Sequence, residues 1–337
     1  MFKNSTKILF HFTLIGGILL TISSNSWMGA WMGLEINLLS FIPIMNNAEN
    51  IYTTEASMKY FLIQALSSSM LLFMILMTFI EMFNMSIRID MLNMIPLMLK
   101  SGVSPFHWWF PVVMEGLSWK NCAILMTLQK MAPMILIMNI FQSKFLPMMF
   151  IMISILVGSL GGLNQISIRK MLTYSSINHM GWLLSTMLIS EILWMIYFMI
   201  YSILTITITL MAKTYNISFI NQTFSMNNYP ILKFLLFLTL LSLGGLPPFS
   251  GFFPKWIIVQ FMMKNNFVIM NTIMIILSLI TLYYYLRITY SAFLITHTEI
   301  SWKIHFYQNK FSMFISWMSM MSTFGLLLIS MPLMMLL

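Results

Sequence analysis

Charge is what this chain has least of. Only 7% of its 337 residues are Asp, Glu, Lys or Arg, where soluble domains use roughly 25% to cover their surfaces. With 59% hydrophobic residues and a mean hydropathy of +0.88, it has more apolar surface than any water-soluble packing hides. Cysteine is nearly absent. The single Cys122 excludes an intramolecular disulfide, a four-thiolate iron–sulfur cluster and a cysteine-built zinc site. No glycine-rich phosphate loop occurs, so nucleotide binding within the chain has no support. Acidic residues number 8 against 17 basic, a net +9, yet the longest basic cluster is Arg169-Lys170. Nucleic-acid binding needs Lys and Arg clustered on a soluble face. Charge scattered singly between apolar runs reads as membrane-flanking charge.

What the chain does have is long apolar runs. A spanning helix uses roughly 20 apolar residues, which gives roughly 10 to 12 helices for a chain of this length. The runs are apolar on all faces rather than alternating, and this selects helices over barrel strands. They parse as 8–24, 27–45, 58–82, 88–101, 121–141, 147–163, 170–190, 192–212, 231–264, 267–296 and 311–337. The expectation is an all-α polytopic transmembrane helix bundle of about 11 spans, one membrane domain over 1–337 with no soluble domain. The first run has no small-residue cleavage site behind it and reads as a span rather than a removed signal. Residues 105–120, with Pro111, Glu115 and Lys120, read as an interfacial connection, and 214–228 as a polar loop. The run 231–264 is interrupted by Gly244-Gly245-Leu246-Pro247-Pro248. A proline pair removes two backbone donors, so a broken helix is expected there. A second discontinuity is expected near Pro133. The 39 methionines fit a genome that reads an isoleucine codon as methionine.

Most charges sit at run ends. Lys3, Lys7, Lys59, Arg88, Lys120, Lys144, Lys213, Lys264 and Lys303 can snorkel and anchor topology. Glu35, Lys100, Lys130 and Lys255 cannot be placed so easily. A charge at bilayer centre costs roughly 2.5–3.5 kcal/mol on insertion scales. For any one of the four, an interhelical ion pair that fixes packing is a sufficient account. One glutamate, however, cannot neutralise three lysines. Low dielectric disfavours the charged form of an amine, which makes its ionisation switchable by a neighbour. A row of such amines with water between them is what a proton relay requires. Pro133 follows Lys130 by three residues, and the Pro/Gly break precedes Lys255. Broken helices beside ionisable residues mark ion paths in transporters. His179, in a span that also holds Tyr174, reads either as a bridge between lysine sites or as a hydrogen-bonded packing histidine. His107 reads as interfacial, and Glu81 and Arg287 as able to reach an interface. His11, His297 and His305 support no functional claim.

Six segments carry a family resemblance. They are Trp31-Met32-Gly33-Leu34-Glu35-Ile36-Asn37, Lys100-Ser101-Gly102-Val103-Ser104-Pro105-Phe106-His107, Leu128-Gln129-Lys130-Met131-Ala132-Pro133, Gly161-Gly162-Leu163-Asn164-Gln165, the run from Arg169-Lys170-Met171 to Ile177-Asn178-His179, and Gly244-Gly245-Leu246-Pro247-Pro248-Phe249. In this order, from residue 31 to 256, they resemble the mitochondrial NADH-ubiquinone oxidoreductase chain 2 family, in its shortened animal form and of an invertebrate kind. The resemblance implies a multi-pass subunit of respiratory complex I in the inner mitochondrial membrane, related to cation/proton antiporters. It implies partners among the other membrane-arm subunits, antiporter-like neighbours included, together with membrane lipids and no nucleic acid. It implies no cofactor, metal or bond chemistry in this chain, with FMN, iron–sulfur clusters and quinone held by other subunits. By motif match, Glu35 and Lys100 form the charged pair of the first half-channel and Lys130 the central relay. Lys255 belongs to the second half-channel, and His179 bridges the last two. The related chain 4 usually has a glutamate where Lys255 stands, which favours chain 2. Two rivals share parts of this pattern: a stand-alone cation/proton antiporter, and a membrane scaffold whose ion pairs only set helix register.

Overall fold

The structure, a computed structural model, describes residues 2–46, 50–79, 86–140, 145–224, 230–294 and 319–320. Nearly all of the expected run 311–337, together with Glu81, His297, Lys303 and His305, lies outside the described residues. The described elements are helices: α1 Phe2–Ser23, α2 Trp27–Met45, α3 Ile51–Phe79, α4 Ser86–Ser101, α5 Trp109–Gly116, α6 Trp119–Met126 and α7 Leu128–Ile140. They continue with α8 Phe145–Gly161, α9 Ile168–Met187, α10 Glu191–Thr214, α11 Ile220–Phe224, α12 Pro230–Gly244, α13 Phe252–Lys264 and α14 Val268–Leu294. Among the described residues, extended pairing is limited to an antiparallel bridge between Ser167 and Phe219. The chain divides into two compact units, Met1–Ile153 and Ser154–Leu337.

Six described segments are long and apolar enough to cross a membrane, and α6 with α7 makes one of them, Trp119–Ile140. The chain is a multi-pass membrane protein. Large apolar side chains point outward, with Phe12 71% and Ile269 78% exposed, while Gln64, Lys100, Lys130, Asn178 and Lys255 are buried. Water would penalise that outer surface at roughly 25 cal/mol per Å²; lipid accepts it. In α9, 17 of 20 residues are buried, and they include Thr173, Ser175, Ser176, Asn178 and His179. A helix this polar is stable at membrane depth only because other helices shield it from lipid.

Local chemistry sets the ends. Ser26 caps α2 by accepting from the Gly29 amide at 3.2 Å, and Ser190 accepts from Leu193 at 3.4 Å with Glu191 in the first turn of α10. Asn50 Oδ1 accepts from the Tyr52 amide at 3.1 Å, so α3 begins in the polar stretch rather than at residue 58. The connection 105–120 folds into α5, and the loop 214–228 contains α11. The break expected near Pro133 lies earlier. Thr127, with φ −113° and ψ −78°, separates α6 from α7, and Pro133 sits inside α7. A proline in that second turn removes one amide donor, onto the Gln129 carbonyl, and the helix tolerates it. The break at Gly245–Gly251 between α12 and α13 is where the sequence places it.

Helices α1 and α2 meet backbone to backbone. A Cβ on Gly33 would lie 2.8 Å from the Thr21 amide nitrogen and 2.9 Å from the Gly17 carbonyl oxygen. Small residues permit such approaches where lipid offers no hydrophobic drive for association. Gly33→Ala is expected to cost about 1–3 kcal/mol through overpacking, read as a lowered thermal midpoint of the purified assembly.

Candidate functional site

Lys100, Lys130 and Lys255 all stand at helix ends created by breaks. Lys100 occupies the last turn of α4, where a cation complements the helix dipole. Gly102, with φ +72°, ends that helix. Lys130 is the third residue of α7, immediately after the Thr127 break, and Lys255 lies in the first turn of α13. Lys100, Lys130 and Lys255 are buried, with relative exposures of 6%, 2% and 6%.

In the first unit the breaks expose backbone carbonyls, which side chains then satisfy. Gln64 Nε2 on α3 donates to the Lys100 carbonyl at 3.2 Å, and Trp109 Nε1 on α5 donates to the Leu99 carbonyl at 3.2 Å. A polar chain crosses three helices beside Lys130. Tyr60 Oη donates to Gln129 Oε1 at 3.3 Å, and Gln129 Nε2 donates to Asn37 Oδ1 at 2.9 Å. The Lys130 ammonium lies 4.6 Å from the Phe110 ring centroid, within cation–π range. Lys100 and Lys130 line the same cavity, with about 20 Å³ open to the centres of water molecules. That is room for about one or two waters, and water needs two to four polar partners. The lining supplies them: Asn37, Tyr60, Gln64, Lys100, Ser101, Gln129 and Lys130. Glu35 is half-buried on α2, with Oε2 buried and not hydrogen-bonded among the described residues. It lies near enough to Lys100 for the two charges to interact, and among the described residues no ion pair joins them. Of the predicted residues, Glu35, Lys100 and Lys130 thus come together in this unit.

In the second unit Lys255 reaches back across its own break. Its Nζ donates to the Gly244 carbonyl at 3.0 Å, one of the free acceptors at the α12 C-terminus. Gly245 has φ +87°, and a Cβ there would lie 3.1 Å from Lys255 Nζ, so both the turn and the lysine need glycine. The same Nζ lies 5.8 Å from the Trp182 ring on α9. His179, one turn earlier on α9 and 6% exposed, is hydrogen-bonded through Nδ1 to Tyr197 Oη at 2.8 Å. Lys255 on α13 therefore lies against Trp182, one turn from His179 on α9. His107 is buried and pairs with the Pro105 carbonyl at 3.2 Å, while its neighbour Trp108 is exposed. Arg287 is exposed and donates to the Leu163 carbonyl at 2.8 Å. Sequence reasoning missed Tyr60, Gln64, Gln129, Phe110, Trp182 and Lys233, the last being a further buried lysine. Tyr60 and Gln64, four apart on α3, are the one pair whose spacing signals a shared inward face.

Broken helices, buried amines at the breaks and a polar cavity between two of them define a class: the antiporter-like transmembrane subunits. The model of the NADH:quinone oxidoreductase/Mrp antiporter transmembrane family matches residues 24–281, and that of the NADH dehydrogenase subunit 2 C-terminus matches 282–333. The NADH-ubiquinone oxidoreductase chain 2 of Anopheles gambiae is 51% identical over 98% of this chain and 98% of its own length. That of Locusta migratoria is 45% identical over 97% of each. In the solved structure of respiratory complex I from Thermus thermophilus with bound aureothin, one chain aligns with a TM-score of 0.81 at 19% identity. That alignment covers 95% of this chain and 77% of that one, a likeness of fold. The chain belongs to the NADH-ubiquinone oxidoreductase chain 2 family.

The Tyr60–Gln129–Asn37 chain is the scaffold of the first site. Gln129→Leu leaves the Tyr60 hydroxyl and Asn37 carbonyl oxygen without their partner, which costs about 1–3 kcal/mol per buried group. A lowered thermal midpoint of the assembled complex is the expected result, with Gln129→Glu intermediate.

Proposed function

We propose that this chain is a membrane-arm subunit of proton-translocating NADH:ubiquinone oxidoreductase in the inner mitochondrial membrane. It works there beside other antiporter-like subunits and lipid. It moves protons and performs no redox chemistry, since FMN, iron–sulfur clusters and quinone belong to other subunits. The path uses Glu35, Lys100 and Lys130 in the first unit, and His179 and Lys255 in the second. The observation that carries this reading is the cavity shared by Lys100 and Lys130, sized for water and lined by neutral donors and acceptors.

A proton crosses such a site when one amine releases it to water and the next amine takes it up. The neutral amides and the Tyr60 hydroxyl hold that water without trapping the charge. Electron transfer elsewhere in the complex changes the field at Glu35, and Glu35 in turn governs how strongly Lys100 holds its proton. Lys130 then responds to the charge on Lys100. Moving one charge through 100 mV takes roughly 2.3 kcal/mol, and a hundredfold change in an amine's proton affinity corresponds to roughly 2.7 kcal/mol. The two magnitudes match per site, with little to spare. Several amines in series are therefore needed rather than one.

Arginine keeps the charge of Lys130 but cannot release a proton at physiological pH. In the complex reconstituted in liposomes, Lys130→Ala and Lys130→Arg are both expected to lower the protons moved per NADH oxidised. Full stoichiometry in a normally assembled Lys130→Arg complex overturns the relay. In that case the lysine serves packing alone, as the scaffold reading holds.

A further inference from the structure

The second unit contains polar groups that the lysine path does not use. Four tyrosines, Tyr197 and Tyr201 on α10 and Tyr284 and Tyr285 on α14, are at most 2% exposed. They gather on α9 around His179. The His179 ring lies 5.1 Å from the Tyr201 ring, and the Tyr284 and Tyr285 rings are 4.6 Å apart. Tyr201 Oη is near Ser176 and Tyr285, and Ser175 is near the hydroxyls of both Tyr284 and Tyr285. The serines spend their own protons on the backbone: Ser175 Oγ donates to the Leu172 carbonyl at 2.9 Å and Ser176 Oγ to the Thr173 carbonyl at 2.7 Å. Their lone pairs are thereby left as acceptors toward the tyrosines. Tyr284 Oη and Tyr285 Oη are buried with no partner in hydrogen-bond geometry among the described residues.

Phenylalanine would pack these positions without that cost, since a buried hydroxyl left unsatisfied costs about 1–3 kcal/mol. The groups also form a column. Ser175, His179 and Trp182 are spaced four and three residues apart on one face of α9 and span roughly 10 Å at 1.5 Å per residue. Lys255 stands at the Trp182 end. At the other end Tyr284 lies against the α8–α9 turn, where a Cβ on Gly162 would meet its ring at 2.9 Å. Three residues on, exposed Arg287 donates to the Leu163 carbonyl of that turn. The column therefore runs from a buried lysine to a polar edge.

We propose that Ser175, Ser176, Tyr201, Tyr284 and Tyr285 form a hydroxyl relay that conducts protons between the His179–Lys255 site and the surface at the α8–α9 turn. Ser175 and Ser176 join by turning their hydroxyls from the backbone carbonyls to the next acceptor. Each hydroxyl then takes a proton on a lone pair as it gives its own onward, so none is left ionised, and water bridges the hydroxyls that do not touch. This route rests on the lysine reading above, and the test separates the two. In liposome-reconstituted complex, three variants are compared by protons moved per NADH oxidised: Lys255→Gln, the double Tyr284→Phe/Tyr285→Phe, and Tyr201→Phe. Phenylalanine keeps the ring packing, and Tyr201→Phe serves if the double variant fails to assemble. The expected result is the same loss of stoichiometry in the tyrosine variants as in Lys255→Gln. Full stoichiometry in assembled tyrosine variants, with loss in Lys255→Gln, overturns the hydroxyl route and leaves the lysines standing. Full stoichiometry in Lys255→Gln as well overturns both. A cluster that only glues helices together would lower thermal stability and leave the ratio untouched.

Discussion

Hydrocarbon offers no hydrogen bonds, so every polar group held at membrane depth must find its partner inside the protein. Most of this structure is a response to that constraint. Unbroken helices such as α1, α3 and α10 satisfy their own backbones and turn apolar side chains outward. The breaks at the end of α4, at Thr127 and between α12 and α13 leave carbonyls or amides in need of partners, and a lysine stands at or beside each of the three. Lys255 closes on the Gly244 carbonyl, while Gln64 and Trp109 serve the carbonyls at the end of α4 that carries Lys100. The breaks and the lysines are thus one device. A broken helix positions the amine, and the amine or its neighbours make the break tolerable.

The two units use this device differently. In Met1–Ile153 the amines face a cavity with amide and hydroxyl walls and room for about one or two waters. In Ser154–Leu337 the surroundings are aromatic. Trp182 sits under Lys255, and four tyrosines surround His179 and the serines of α9. On the proposed path, the first site would pass protons by exchange among water molecules, whereas the tyrosine–serine column would fix the order of steps in side chains. Shielding of α9 from lipid is what permits the second arrangement. Its serines, threonines and histidine would be prohibitive on a lipid-facing helix.

Much of this was legible in the sequence, and the limits have physical causes. Charge scarcity and run length declared a helical membrane protein, and Lys100, Lys130 and Lys255 declared themselves by standing inside apolar runs. The Pro247-Pro248 break was readable because two missing donors leave a helix no alternative. Pro133 misled for the complementary reason: one proline near a helix start removes a single hydrogen bond, and the chain broke at Thr127, which carries no sequence mark. Which of the neighbouring His107 and Trp108 is buried could not be read from the sequence; the fold buries the histidine and exposes Trp108. The Tyr60–Gln129–Asn37 chain and the tyrosine cluster were invisible because they join residues from different helices. Hydropathy counts such residues one at a time, and only packing shows that they meet.

The central claim is that the Lys100–Lys130 cavity conducts through water rather than serving as packing space. The most direct measurement is an experimental structure of the assembled complex at a resolution that orders individual water molecules. The account predicts water in that cavity, within hydrogen-bond distance of both amines and of Gln129 or Asn37. A cavity closed by direct side-chain contact, or filled by a lipid chain, would contradict it.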